Sequence, residues 1–273
     1  MILIPSYNCE DYIAETIESA LNQTLQVPVY LVDNCSTDKT MEIAKQYDIK
    51  IIQNEKNIGR IGNWNRCLEL VKEESKDSFF TMLFAGDKLK SNAMEEYSKI
   101  FAKNDVKLIV SKYEVHSDTS ITQILPQHSI KNQPINFEQN IDLNLFYGCW
   151  ENSPSVQCYH IDIANEFKFD DSFTWASDWK FVLSVSKKYD IYFIDKILSE
   201  FHTEHRKVFD KDMNKTYMIA EDLFLSNWLL SHKPNIKLEK FIRRRYANRL
   251  LSFSESIRVV LSKIKSYIKK KFR

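Results

Sequence analysis

Three carboxylates in this 273-residue chain stand where apolar runs give way to polar turns or open a helical pattern. Val29-Tyr30-Leu31-Val32 ends at Asp33-Asn34-Cys35-Ser36. The run 79–84 ends at Ala85-Gly86-Asp87. Ser177-Asp178-Trp179 opens a stretch of helical spacing. Ahead of all three, Ile2-Leu3-Ile4 ends at Pro5-Ser6-Tyr7-Asn8. A short aliphatic or β-branched run that stops at turn-forming residues reads as a buried strand. In a parallel α/β sheet the strand carboxyl ends face the ligand crevice, so polar residues just past two such strands converge on one site. Carboxylates gathered there have two uses. They hold a hard divalent cation, or they take a proton from a reacting hydroxyl.

The two N-terminal segments together resemble the opening of a family 2 glycosyltransferase with the GT-A nucleotide-sugar-binding fold. Further segments agree, in the expected order. Asn57-Ile58-Gly59-Arg60 leads into Asn63-Trp64-Asn65-Arg66-Cys67-Leu68-Glu69. Phe84-Ala85-Gly86-Asp87 sits where that family has its metal-binding carboxylates, and Ser177-Asp178-Trp179 where it has its catalytic base. The resemblance covers about residues 1–205.

The resemblance implies an inverting transfer of a sugar from a nucleoside-diphosphate donor, with a role for each matched residue. Pro5, Tyr7, Asp33 and Asn34 would hold the nucleoside, Tyr7 by stacking and Asp33 or Asn34 by hydrogen bonds to the base edge. The alternative for Asp33–Ser36 is a plain turn with a helix cap. Arg60 would approach the base or the diphosphate, or else is a solvated arginine at a helix start. Asp87 would carry Mn²⁺ or Mg²⁺ against the diphosphate, which stabilises the leaving charge. Only this last carboxylate of the family's acidic pair is kept. Asp178 would be the base, and a helix cap is its plain alternative. Of His202 and His205, His205 is the expected partner of the metal or diphosphate. Residues 150–155 would line the acceptor side.

These residues need elements to position them. Strands are expected over 2–4, from Pro28, over 49–52, 79–84, 106–110, 156–159, 191–194 and 197–201. Helices are expected over 12–23, from Ser36 or Asp38 to Tyr47, and over 62–74, 91–103, 137–146 and 179–188. The stretch 117–134 reads as a hairpin or loop. Strands alternating with helices predict an α/β fold: a doubly wound, mostly parallel sheet flanked by helices. The expected division is a catalytic domain over 1–209, with a nucleotide-sugar half over 1–105 and an acceptor-side half over 106–209. A helical extension follows over 210–273.

Composition narrows the rest. A hydrophobic content of 44% suits a globular core. No apolar run approaches the roughly 18 residues of a membrane span, and no secretory signal is visible. Five scattered cysteines without a CxxC pair argue against a disulfide framework or zinc site and fit a reducing cytoplasm. The net charge of +1 conceals an asymmetry: residues 237–273 carry +11 and the rest −10. Leu250, Phe253, Ile257, Val260, Ile264 and Tyr267 form one helical stripe in that basic tail. A basic amphipathic helix suits an anionic membrane surface, its alternative being a helix packed on the body. No nucleic-acid module is present. The expected protein is therefore peripheral on the inner face of the plasma membrane. The resemblance implies a donor that is a UDP-hexose or UDP-N-acetylhexosamine, or else dTDP-rhamnose, and a surface-polysaccharide or lipid-linked acceptor. A non-catalytic GT-A protein that binds nucleotide or glycan is the other reading, and the missing first carboxylate prompts it. A dehydrogenase is disfavoured because no GxGxxG follows the first strand.

Overall fold

The structure, a computed structural model, describes residues 1–74, 78–117, 120–126, 129–147, 149, 153–203 and 215–232. Strands and helices alternate strictly through the first part: β1 (Ile2–Ser6), α1 (Ile13–Leu21), β2 (Val29–Asp33), α2 (Thr40–Ala44), β3 (Lys50–Gln53), α3 (Gly59–Glu74) and β4 (Phe79–Met82). The remainder is more mixed. It runs through β5 (Lys88–Leu89), α4 (Ala93–Phe101), β6 (Leu108–Ser117), β7 (Ser120–Leu125), β8 (Gln133–Ile135) and α5 (Phe137–Tyr147). A 3-10 turn (Pro154–Val156) then leads to β9 (Gln157–His160), α6 (Ile161–Glu166), α7 (Ser177–Ser186), β10 (Ile191–His202) and α8 (Lys215–Ser231).

Among the described residues ten strands form one sheet, with a main path β3-β2-β1-β4-β9-β6-β10-β5. The β3-β2-β1-β4 half is parallel throughout. Beyond it β9 runs antiparallel to both β4 and β6, while β6 and β10 are parallel to each other. Strand order reverses at β1: β2 lies on one side of it and β4 on the other. That reversal opens a crevice at the carboxyl ends of β1 and β4.

Every residue of β1 is buried, as expected for a strand covered on both faces. Its side chains alternate. Leu3 joins Val32, Trp64, Cys67 and Leu68 on one side, and Ile2 and Ile4 join Ile13, Ile17 and Leu31 on the other. Burial of each such side chain stabilises the fold by about 1.5–3 kcal/mol. A third cluster joins α5, α7 and α8 through Ile141, Trp179, Leu183, Leu225 and Leu229. Helix α8 therefore shares a core with α5 and α7. The boundary expected at 210, and the amphipathic stripe from Leu250 on, lie outside the described residues.

One expectation changes. The strands read over 191–194 and 197–201 are one strand, β10, whose register against β6 shifts at Ile194/Ile197 and Ile197/Ser199. Asp195-Lys196 looks like a turn in sequence. In the fold Asp195 is held at the irregularity by Lys112 and Lys131, and its amide donates to Asn132 Oδ1 at 2.7 Å. In the stretch 117–134 the described residues bear out the hairpin, with β7 folded back antiparallel on β6, and β8 pairs with β10. Helix α6 and strand β5 are too short to show a period, and the sequence reading passes over both.

Candidate active site

The loops after β1 and β2 bind each other. Asn8 and Cys35 both adopt left-handed backbone, with φ of 47° and 64°. Such conformations cost of order 1–3 kcal/mol and need support from their surroundings. Here the Asn8 amide donates to Ser36 Oγ at 2.9 Å and Asn8 Oδ1 accepts from the Thr37 amide at 2.8 Å. The Cys9 amide donates to Thr40 Oγ1 at 2.8 Å, and Glu10 and Lys39 add two further links. Burial pushes the Cys9 thiol up to about 12, so it stays protonated and serves as packing.

Asp33 is fully buried at the end of β2. Oδ1 accepts from the hydroxyls of Ser6 and Ser36, and Oδ2 from the Ser36 amide at 2.9 Å and Gln53 Nε2 at 3.1 Å. A carboxylate has about four acceptor sites. A nucleobase N–H would have to displace one of these donors. Asn34 is equally committed. Its Oδ1 accepts from the Ile58 amide at 3.0 Å and from Asn54, and its Nδ2 donates to Asn57 Oδ1 at 2.9 Å. Asn54 also donates to Asn63, which reaches back to the Val32 carbonyl. This asparagine network ties β2 to the start of α3. The family motif around Asn57 and Asn63 is its only trace in the sequence. Pro5 is buried within β1, whereas Tyr7 is 41% exposed at the crevice edge and available to stack on a base. Arg60 stands at the start of α3, where its guanidinium lies 5.0 Å from the Trp64 ring and donates to the Thr174 carbonyl.

Asp87 sits past β4, at the other edge of the strand-order reversal, and is 1% exposed. Gly86 has φ 99°, a backbone that side chains rarely tolerate, and the turn it allows lets the Asp87 amide donate to the Phe84 carbonyl at 2.9 Å. Buried Thr16 braces the turn: its Oγ1 accepts from the Gly86 amide at 2.9 Å and donates to the Asp87 carbonyl at 3.1 Å. Asp87 Oδ2 accepts from Ser155 Oγ at 2.7 Å, and Oδ1 lies 3.4 Å from the His202 amide. Residue 155, expected on the acceptor side, thus supports Asp87 directly. Residues 150–152 lie outside the described residues.

Beside Asp87 the ends of β6 and β10 bring His116, Glu200 and His202 together, with one ligand atom from each all within 4.8 Å of one another. The two imidazoles stack at 4.8 Å. His202 Nε2 donates to Glu200 Oε2 at 3.3 Å, and Lys90 bridges Glu200 and Glu114 at 2.6 and 2.7 Å. The His202 hydrogen bond, then Lys90 against the opposing effect of burial, hold the Glu200 carboxyl down at about 2. Two imidazole nitrogens and the Glu200 carboxylate are a donor set that could hold a divalent cation, and Asp87 stands beside them with Oδ1 3.4 Å from the His202 amide. His116 and Glu200 carry no sequence motif; their pairing arises from the parallel register of β6 and β10, in which His116 faces His202. His205, the ligand expected from sequence, lies outside the described residues.

Asp178 occupies the first turn of α7 and is half-buried. Its Oδ1 accepts from the Trp179 amide at 2.8 Å, while the cap position itself belongs to Ala176. The Tyr159 hydroxyl is held well above its ordinary value by its burial and then by the Asp178 charge, which places that charge near β9.

Comparison with known proteins agrees with this arrangement. The pattern described as "Glycosyl transferase family 2" matches residues 1–168. An uncharacterized glycosyltransferase of Haemophilus influenzae is 27% identical over 196 residues, 68% of this chain and 59% of that one. The chain thus spans about three-fifths of that relative's length. A Bacillus subtilis protein, TuaG, whose name marks it as a candidate glycosyltransferase of teichuronic acid biosynthesis, is 33% identical over 35% of this chain and 38% of its own. Among solved structures, Staphylococcus aureus TarS 1–349 in complex with UDP-GlcNAc superposes with a TM-score of 0.67 at 19% identity, covering 93% of this chain and 73% of that one. That identity speaks for the fold alone. The crevice at the β1/β4 reversal, the single carboxylate past β4 and the matched sequence pattern lead to one assignment: this chain belongs to glycosyl transferase family 2.

Proposed function

We propose that the chain transfers a hexosyl or N-acetylhexosaminyl group, with inversion, from a UDP-sugar to a growing surface-polysaccharide or lipid-linked acceptor. The observation that carries this reading is the buried Asp87 carboxylate, held by Gly86, Thr16 and Ser155 at the mouth of the crevice. Tyr7 stacks on the base at the crevice edge. The loop of Asp33 and Asn34 forms the wall behind it, and Arg60 stands at the junction of the two halves. Asp87 and the imidazole of His202 or His205 would hold a divalent ion, which would supply positive charge against the departing diphosphate. Asp178 takes the acceptor proton as the hydroxyl attacks the anomeric carbon, and a single displacement inverts the centre. The name of TuaG and the UDP-GlcNAc in the TarS complex favour a cell-envelope glycan and a UDP-linked donor. The basic tail holds the enzyme on the cytoplasmic face of the membrane.

The test is a panel of nucleotide sugars with Mn²⁺, read by thermal shift and by transfer to simple glycosides. A ligand that binds the native state raises the melting temperature. A UDP-sugar should stabilise the protein most and should release UDP on turnover. Stabilisation by UDP-sugars without turnover would favour the non-catalytic reading that the missing first carboxylate suggests.

A further inference from the structure

Glu221 lies on α8, beyond the part of the chain that the family pattern covers, and is 2% exposed. Its carboxylate accepts four hydrogen bonds from one short strap of the acceptor-side half. Oε1 takes the Thr174 amide at 2.8 Å and the Thr174 hydroxyl at 2.9 Å. Oε2 takes the Trp175 amide at 2.8 Å and the Ala176 amide at 3.0 Å. Burying a carboxylate is costly unless such donors compensate, and here all four acceptor sites are used on three consecutive residues. The strap is held from other sides as well. The Thr174 carbonyl accepts from Arg60 of the donor half, and Ser177 Oγ donates to the Asp170 carbonyl at 2.9 Å.

Two features depend on this strap. Its last residue, Ala176, is the cap of α7, and Asp178 stands two residues on. Its middle residue, Trp175, is 39% exposed although its backbone is pinned. An aromatic side chain in water on an immobile backbone offers a flat apolar face, and the C–H face of a pyranose ring can lie against it.

We propose that Glu221 is a positioning residue for sugar transfer: it pins the strap Thr174–Ala176, which aims Asp178 and presents Trp175 as the docking face for the acceptor sugar ring. This rests on the reading of Asp178 as the base. A displacement of about 1 Å at such a group can cost on the order of a hundredfold in rate. Glu221→Gln places an amide NH₂ against backbone donors and should release the strap.

The experiment uses the full chain, with donor and glycoside acceptor taken from the nucleotide-sugar panel, or UDP release into water where no glycoside accepts. Glu221→Gln should lower kcat about a hundredfold, leave the Kd for UDP unchanged and add nothing further in an Asp178→Asn background. Glu221→Asp should recover part of kcat. Trp175→Ala should raise KM for the acceptor with little change in kcat or in the Kd for UDP. Should Glu221→Gln fail to fold, Thr174→Val removes one of the four bonds and should show a smaller loss of the same kind. The proposal is overturned if UDP affinity falls in parallel with kcat, if kcat per folded molecule is normal, or if the losses from Glu221→Gln and Asp178→Asn multiply. It is overturned also if Trp175→Ala leaves the acceptor KM unchanged. If Asp178→Asn is fully active while Glu221→Gln is not, the base assignment is what fails. A wild-type protein inactive with every donor ends both readings.

Discussion

At the residue scale, Asp87 and Asp178 differ in kind, and the difference can be measured. Asp87 is buried and braced, and in the proposed reaction it binds the donor through the metal. Asp87→Ala should therefore weaken UDP binding in Mn²⁺ as well as abolish transfer, which calorimetry and a UDP-release assay would read together. Full activity in EDTA alongside an active Asp87→Ala would dismiss the metal role. Asp178 is half-buried in the first turn of α7, and in the proposed reaction it takes the acceptor proton. Asp178→Asn keeps its shape but cannot take a proton. UDP affinity should be retained while kcat falls by about 10²–10⁴-fold, the usual contribution of a general base. Gly86 offers a third test. At φ 99° a side chain is strained by roughly 1–3 kcal/mol. Gly86→Ala should lower the melting temperature and UDP affinity together, because the turn that aims Asp87 would shift.

At the element scale, the segment ahead of α7 is held by charge as well as by Glu221. Asp170 pairs with Lys180 of α7 and accepts from the Ser172 amide at 2.8 Å. Burial pushes the Asp170 carboxyl up, but Lys180 and Ser172 outweigh it and hold the group at about 2. The folded value lies below the unfolded one. Between the two the unfolded chain binds more protons, so stability rises with pH there. This contribution is complete above roughly pH 4 and is lost as pH falls toward about 2. Lys180→Met should flatten the acid limb of a denaturation curve over that window and lower stability near neutrality by the same amount, a small one because the pair is partly exposed. An unchanged acid limb would show that the pair contributes nothing to the fold. Two features of this region were out of reach of local patterns. Helix α6 offers six residues, under two turns, so its apolar residues repeat too few times to show a period. The break in β10 at Asp195-Lys196 looks like a turn because two charged residues in a strand are unusual, and only partners from other segments explain them: Lys112 and Lys131 for Asp195, Glu96 for Lys196.

At the scale of the whole molecule, a body of net −10 is joined to a tail of net +11. An anionic membrane would repel the body alone. Each basic residue close to such a surface contributes about 1 kcal/mol, screened by salt, while burial of Leu250, Ile257 and Ile264 would not be screened. Removing residues 250–273 should release the protein from vesicles containing phosphatidylglycerol and leave UDP binding intact. High salt should weaken the attachment of the full chain only in part. If the full chain does not sediment with such vesicles, or the truncated chain unfolds, the helix is a packing element. No helix among the described residues is long and apolar enough to cross a membrane. The strands and helices of the first half, the crevice, and the places of Asp33, Asp87 and Asp178 were legible without coordinates, because each depends on local signals: a buried strand ending in a turn, or a helical period with its start. The commitments of Asp33 and Asn34, the turn of Arg60 toward Thr174, the His116–Glu200–His202 cluster and the clamp from Glu221 were not. Each joins side chains far apart in the chain, and such meetings are set by sheet register and helix packing, which no local pattern encodes.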